Sequence, residues 1–446
     1  MKSVRNDVFA ADSSRSQKLD VIIETDMGGD KDDQASFVRW LLYTCDWDVK
    51  GIIFDRADDR FQSDGAAANP THAKTTMEMA YCYLDAYGQV YANLIKHNPD
   101  YPSVDYLKSV SVHGTNDSNA GRDLIINAVD GATHNAPVWY GNWGSNSGTT
   151  SNLKRALDYI ESTRSSTSYK VFISKIRVVT LDGRDRTKQG RDNNIVLHIE
   201  TGYPQLGDDA ESRWYRRFDN ITAQAGGFNV QEDVLRNHGP LGALYTGQKE
   251  GDSWTFIYLI PNGLNDPDQP GWGSWAGRYG VRDGGSEVPH REPFYWANQE
   301  DDWGNCTNRD NTAKRFAAAI QMDFKARMDW CVRSFKSANH PPIVLLNGDD
   351  SNRVLFFDVK AGDKLGLKSE GSRDPDGGKL SYLWWAYPEA GAFSGDIEMD
   401  KNDAQNIIFN VPENADGKSI HIICEVTDDG EPPWTRYRRA VINVQD

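Results

Sequence analysis

Short apolar runs bounded by turn residues recur along the first two-thirds of the chain. They are Val21–Glu24, Val49–Phe54, Val138–Tyr140, Val171–Leu181, Ile195–Ile199 and Phe256–Ile260. Helical patterns lie between them, as in Gln34–Leu42 and Asn152–Ile160. Near-continuous apolar strands alternating with helices predict a mainly parallel sheet covered on both faces. Farther on, Phe316, Ile320, Phe324, Met328 and Cys331 recur at steps of three and four. That spacing predicts one long helix over Asn311–Phe335, with a single core-facing stripe that closes the large domain.

The pattern changes after KSANHPP. The stretches VLFFDV, KLGLKS, LSYLWWAY, NIIFNV, IHIICEV and RRAVINV are separated by Gly, Asp, Asn and Pro turns. Roughly 100 residues of short strands read as an immunoglobulin-like β-sandwich. The predicted organisation is a polar tail over 1–17, disordered or vector-derived, an α/β domain over 18–338 and a small all-β domain over 339–446. No internal repeat is visible.

Composition narrows the classes. A chain of 446 residues exceeds one ordinary core and predicts two domains. The net charge of −16 argues against a nucleic-acid partner, because phosphate binding needs a basic face. No apolar run approaches the ~18 residues of a membrane span. The N-terminal MKSVRNDVFAADSSRSQ has no apolar core of a secretory signal. The five cysteines lack zinc spacing; Cys45–Cys82 and Cys306–Cys331 are open as disulfides or as thiols.

The richest chemistry lies in ETDMGGDKDDQAS. Glu24, Asp26, Asp30, Asp32 and Asp33 crowd a predicted strand end and the first turn of a helix, with Gly28 and Gly29 allowing a tight turn. The helix dipole stabilises such acids by only ~0.3–1 kcal/mol each. A hard divalent cation would hold them together, and Ca²⁺ accepts six to eight oxygens. The alternative is an acidic solvated loop with an Asp cap. The P-loop pattern and the nucleophile elbow GxSxG are absent.

The same residues resemble the D-T-D-P-G-x-D-D signature of nucleoside hydrolases, with two extra residues before the Asp pair. NHGPLGALYTG, KEGDSWTFIYLIPNGLNDPDQPGWGSWAGRY and RMDWCV followed by ANHPP resemble a more distant relative, the bacterial cellulose-binding-protein family. That resemblance implies a nucleoside-hydrolase-like α/β domain followed by an immunoglobulin-like sandwich. It implies Asp26 as calcium ligand and general base on a metal-activated water, with Asp33 and Asp266 as further ligands. The strand end WYGNWGS would lend the backbone carbonyl of Trp143. Asp32 would bind a sugar hydroxyl; Asp30, in the insertion, is either a ligand or a loop cap.

Around this core, Asn142, Asn262 and Asn265 are candidate sugar contacts. Trp272 and Trp275, flanked by Gly, are either a stacking platform or packing in a long loop. Asn265 stands where many nucleoside hydrolases carry a proton-donating His, and Asn cannot donate that proton. His113 and His238 are the substitute candidates. The strand after Ile52 ends in Asp55-Arg56 instead of Gly-Asn, and LDGRDRTKQGRDNN lacks the Asn/Glu-rich sugar clamp. The functional expectation is a Ca²⁺-dependent glycoside hydrolase acting on a glycan or furanoside. A non-catalytic carbohydrate-binding protein is the alternative, and nucleoside hydrolysis a weaker one. The expected partner is a carbohydrate, and the resemblance implies a secreted or periplasmic location. DPDGG (Asp374–Gly378) reads as a tight turn able to hold a cation weakly.

Overall fold

A computed structural model describes residues 18–62, 69–144, 151–181, 197–201, 218–281 and 294–445. The predicted tail over 1–17, most of LDGRDRTKQGRDNN and the end of WYGNWGS lie outside these residues. The chain forms two compact units: Leu19–Ile260 with Ser274–Ala338, and Pro261–Gly273 with Asn339–Asp446. The main division thus falls between Ala338 and Asn339. The segment 261–273, expected in the large domain, belongs with the C-terminal unit.

The large unit contains strands β1 (Asp20–Thr25), β2 (Asp48–Phe54), β3 (Ser111–His113), β4 (Val138–Asn142), β5 (Ile176–Thr180), β6 (Leu197–Glu200), β7 (Gly280–Val281) and β8 (Phe294–Trp296). They form one sheet in the order β3-β2-β1-β4-β5-β6-β8-β7, parallel except for the edge strand β7. Its helices are α1 (Lys31–Leu41), α2 (Thr76–His97), α3 (Val104–Ser109), α4 (Ala120–Gly131), α5 (Asn152–Thr163), α6 (Ser166–Ile173), α7 (Phe218–Thr222), α8 (Gly239–Ala243), α9 (Ser253–Ile257), α10 (Asn311–Lys314) and α11 (Ala317–Trp330). A small hairpin, β9 (Asp301–Trp303) with β10 (Cys306–Asn308), precedes α10.

The helices pack because their apolar stripes meet a sheet that is apolar on both sides. Ile22, Ile53, Tyr140 and Val178 meet Ile125 and Val129 of α4, Leu153, Leu157 and Ile160 of α5, and Phe172 of α6 in one buried cluster. Each such apolar side chain contributes about 1.5–3 kcal/mol of burial. Phe37 of α1 packs edge-on against Phe54 of β2, with centroids 5.8 Å apart. Strand order places a topological switch point between β1 and β4. The chain winds from β1 to β2 and β3 on one side, then to β4, β5 and β6 on the other. In open α/β sheets, ligands bind at the carboxyl ends of strands beside such a point.

Three predicted elements differ. The run Phe256–Ile260 is no strand: α9 covers Ser253–Ile257, and every residue from Ser253 to Ile260 is buried. A short apolar run reads the same for a strand and for a helix buried all round. Residues 171–173 end α6, and the strand starts at Ile176 after a turn. The long closing helix is interrupted at Phe316 and stops at Trp330.

The C-terminal unit contains β11 (Leu355–Lys360), β12 (Lys364–Lys368), β13 (Leu380–Ala386), β14 (Asn406–Asn410), β15 (Ser419–Asp428) and β16 (Thr435–Gln445). One sheet runs β11-β16-β15-β13, with β11 parallel to β16, and β12 pairs with β14 in a second. Trp384, Leu367, Ile407, Phe409, Ile422, Cys424 and Ile442 fill the space between them. This is the sandwich predicted from the strand spacing. The five cysteines are free thiols, three of them buried.

Candidate functional site

The loop after β1 and the start of α1 form the centre of the acidic site. Gly28 has φ +97°, a conformation that glycine adopts without strain. Asp30 caps α1 through an Oδ1 hydrogen bond from the Lys31 amide at 2.7 Å. Asp32 and Asp33 then occupy the first turn, both buried. The Thr25 hydroxyl donates to Asp33 Oδ1 at 2.5 Å and so ties α1 to the end of β1. Asp26, 17% exposed, follows β1 directly.

The third buried acid comes from far along the chain. Asp252 precedes α9, which packs against β4 and β5. Carboxylate oxygens of Asp32, Asp33 and Asp252 all lie within 4.8 Å of one another. That span is about twice a Ca–O bond, so one ion can reach all three. Asp252 makes no capping bond with α9, and its Oδ2 is buried without a hydrogen-bond partner among the described residues. At this separation each pair of ionised carboxylates repels by about 3 kcal/mol or more at an effective dielectric of ~20. Three pairs approach the whole stability of a typical domain, ~5–15 kcal/mol. The cluster therefore holds protons or a cation.

The environment of each carboxyl agrees with that balance. Burial, then the neighbouring Asp26 and Asp32, pushes the Asp33 carboxyl well above its ordinary range. Burial, then Asp32, Asp33 and Asp26, does the same for Asp252. Asp32 is pushed up to about 6 by burial, with Lys249 opposing. Two cations flank the acids. Lys249 pairs with Asp30 and stands 4.0 Å from Asp32 Oδ1. Arg56, buried just past β2, places Nη1 3.5 Å from Asp26 Oδ2, while its Nε and Nη2 donate to the Arg60 carbonyl at 2.9 and 2.7 Å. Among the described residues, five carboxylates against two cations leave negative charge for a divalent ion, and an all-oxygen donor set suits Ca²⁺ or Mg²⁺.

Under this layer lies a buried polar floor. Glu24 accepts from the Tyr140 hydroxyl at 2.6 Å and from the Asn152 amide at 3.0 Å, at the start of α5. Asn142 donates to the Tyr140 oxygen at 3.0 Å and accepts from the Gly144 amide at 3.0 Å. Asp55 is buried beside Glu24; burial, then Glu24, raises its carboxyl well above the usual range. The Trp143 amide donates to the Glu24 carbonyl at 2.9 Å and extends the β1–β4 ladder.

The predicted residues separate into groups. Asp26, Asp32 and Asp33 stand at the acidic loop, and Trp143 directly follows the adjacent strand β4. Asp30 serves as helix cap and as partner of Lys249. Asn142 is part of the floor. Asp266 belongs to the C-terminal unit, where its Oδ1 accepts from the Asp268 amide at 3.0 Å. The acid grouped with Asp32 and Asp33 is Asp252. Asn262 and Asn265 share the segment of Asp266; the Asn262 carbonyl accepts from the Tyr437 amide at 2.9 Å. Trp275 is 1% exposed, so it is packing and not a stacking platform. Trp272 packs edge-on against His421 at 4.9 Å within the C-terminal unit. His113 Nε2 bonds the Arg56 carbonyl at 3.0 Å, and His238 Nε2 lies 3.2 Å from Asp329 Oδ1.

Sequence reasoning missed Asp252, Lys249 and the Arg56 contact. The signal for Asp252 was present: Gly-Asp-Ser before an apolar run is a helix start. The resemblance pointed instead to Asp266, after that run.

A parallel sheet of this topology, with an acidic loop after its first strand at the switch point, defines a nucleoside-hydrolase-like protein. Residues 20–279 match the family model described as cellulose-binding Sde182, nucleoside hydrolase-like domain, and residues 364–444 match that of the cellulose-binding protein Sde0182, C-terminal domain. The chain belongs to this family. It is also similar to a solved structure from Saccharophagus degradans, described as a nucleoside hydrolase-related hypothetical protein associated with carbohydrate metabolism. The TM-score is 0.73 at 30% identity, over 96% of this chain and 100% of the other. No curated protein matches the chain.

Proposed function

We propose that this chain is a Ca²⁺-dependent glycoside hydrolase acting on a glycan or furanoside. The observation that carries the reading is the buried Asp32, Asp33 and Asp252 group beside Asp26 at the switch point. The cradle fits a calcium ion, since three hard oxygen donors converge and Asp252 Oδ2 has no other partner among the described residues. When bound, the ion would supply Lewis acidity to a water nucleophile and anchor sugar hydroxyls. Asp26 is the member left partly exposed, and it accepts the proton of the attacking water. Its Oδ2 faces Arg56, and its Oδ1 lies beside Gly144, where a Cβ would stand 3.0 Å away. Asp32 accepts from a ring hydroxyl. Direct attack by water inverts the anomeric centre through an oxocarbenium-like transition state, and the leaving oxygen departs as an anion that takes its proton from solvent, so aglycones that are good leaving groups react fastest.

A second reading, non-catalytic carbohydrate binding, is favoured by the histidines. His113 and His238 each have Nε2 engaged inside the protein, so neither is free to protonate a leaving group through that atom. The cellulose-binding description of the family fits this reading too. A polymeric glucan as ligand would suit an exported protein.

The deciding experiment incubates wild type and Asp26→Asn with cello-oligosaccharides, aryl furanosides and a nucleoside panel, with calcium and with EGTA. Sugar release by wild type that needs calcium and Asp26 supports the hydrolase. Saturable cellulose binding without product supports the second reading. Nucleoside cleavage alone would displace both.

A further inference from the structure

We propose that the buried Arg39–Glu250 pair is a positioning device that holds Asp252 against Asp32 and Asp33, so that the cation affinity of the site depends on it. The inference rests on the metal reading of that site. The two residues are 211 positions apart and both have fully buried side chains. Arg39 lies on α1, less than two turns after Asp33; Glu250 lies two residues before Asp252. The pair thus joins the two elements that bring the acids together.

Its geometry is a two-point clamp. Arg39 Nε donates to Glu250 Oε2 at 2.5 Å and Nη2 to Oε1 at 2.9 Å. Such a fork fixes orientation as well as distance. Glu250 Oε1 also accepts from the Tyr245 hydroxyl, and Oε2 from Ser253 Oγ at 2.7 Å. Ser253 Oγ stands 3.1 Å from Ser36 Oγ, a second link between α9 and α1 beside Asp252. The guanidinium is held from behind, with Nη2 donating to Gln321 Oε1 at 2.9 Å and its centre 3.8 Å from the Phe324 ring centroid.

A five-residue helix such as α9 has little intrinsic order of its own. Apolar packing alone would allow it to slide against α1. Glu250 removes that freedom, while on either side of it Lys249 reaches Asp30 and Asp252 joins the acid group. Groups behind metal ligands typically change affinity by about 10–100-fold when removed.

The test uses the full chain with Arg39→Met/Glu250→Leu, since apolar replacement of a whole buried pair is commonly tolerated. Calcium binding is measured by titration calorimetry, and folding by circular dichroism. The expected result is a cooperatively folded variant whose calcium Kd is weakened about 10-fold or more. An unchanged Kd in a folded variant overturns the proposal. If the double variant does not fold, Tyr245→Phe, which removes one bond to Glu250, decides; it should weaken calcium about threefold, against no change if the clamp is irrelevant. If wild type binds no calcium, the metal reading falls by itself. The clamp is then judged by hydrogen exchange at residues 250–255: at least tenfold faster exchange in the variant supports it, and unchanged exchange overturns it.

Discussion

Two acid-rich ends of this molecule look alike in sequence and differ in chemistry. In the large unit, Asp32, Asp33 and Asp252 converge, and Asp252 Oδ2 has no hydrogen-bond partner among the described residues. In the C-terminal unit, Asp374, Asp376, Asp428 and Asp429 meet around the DPDGG turn, and nearby donors saturate most of their oxygens. Asp376 takes the His340 amide at 2.8 Å and the ring Nδ1 at 3.0 Å. Asp374 takes the Asp376 amide and Asp429 the Lys379 amide, each at 2.7 Å. Asp428 Oδ1 takes Gly430 and Trp434 amides and the Asn339 side chain, although its Oδ2 has no partner among the described residues. A carboxylate occupied by backbone N–H groups organises a turn. A carboxylate without donors needs a cation or a proton.

Four experiments break or sharpen that contrast. The largest effect is expected from Asp252→Ala, which should abolish the calcium-induced rise in Tm. Asp376→Asn should leave the calcium response intact and lower Tm by a few degrees, because hydrogen bonds to a charged group contribute ~1.5–3 kcal/mol. Equal loss of the calcium response in both variants would erase the distinction between the two ends.

Next comes pH. Asp33 and Asp252 are raised well above their ordinary range and Asp32 to about 6, each primarily by burial. In the metal-free protein the folded state keeps protons that the unfolded chain releases near pH 4. This contribution to stability is present below that pH and is lost as pH rises through the folded-state values. A cation must displace those protons, so the calcium-induced Tm shift should grow between pH 5 and pH 8. A shift independent of pH would mean that the ion binds elsewhere.

Gly29→Ala should act through Arg56. A Cβ there would collide with Arg56 Nη1 and would move the guanidinium away from Asp26. Turnover, or sugar binding if there is no turnover, should fall about tenfold, roughly the value of one displaced charged contact.

The smallest effect belongs to the other unit. His421 is held down to about 3 by burial and then by Arg439, so it stays neutral in the folded protein. Its contribution is present above the unfolded value near 6.5 and is lost as pH falls toward 3. His421→Gln should flatten the decline of Tm over that range without touching calcium binding. An unchanged slope would assign the acid sensitivity to other groups.

Much of the site was legible because it is local. Val21–Ile23, the two glycines and the Asp32-Asp33 turn are close neighbours in the chain, and strand, loop and helix start each carry their own pattern. The sandwich strands were legible for the same reason, since alternation such as that of β14 needs only five residues. The remainder depended on distant partners. TFIYLI is compatible with either element until the surroundings bury it on all sides. The resemblance put the late ligand at Asp266, after that run, and Asp252, just before it, was passed over. The burial of Trp275 likewise could not be inferred from its glycine neighbours.

The sequence by itself determined that a strand ends in a glycine loop crowded with carboxylates, that helices and parallel strands follow, and that a β-sandwich closes the chain. Those features rest on periodicity and turn chemistry, which act over a few residues. Tertiary structure decided which distant acid completes the group and which charges oppose it. It also decided which carboxylates are already satisfied. Those outcomes depend on desolvation and on donor geometry, and both exist only after residues far apart in the chain have packed together.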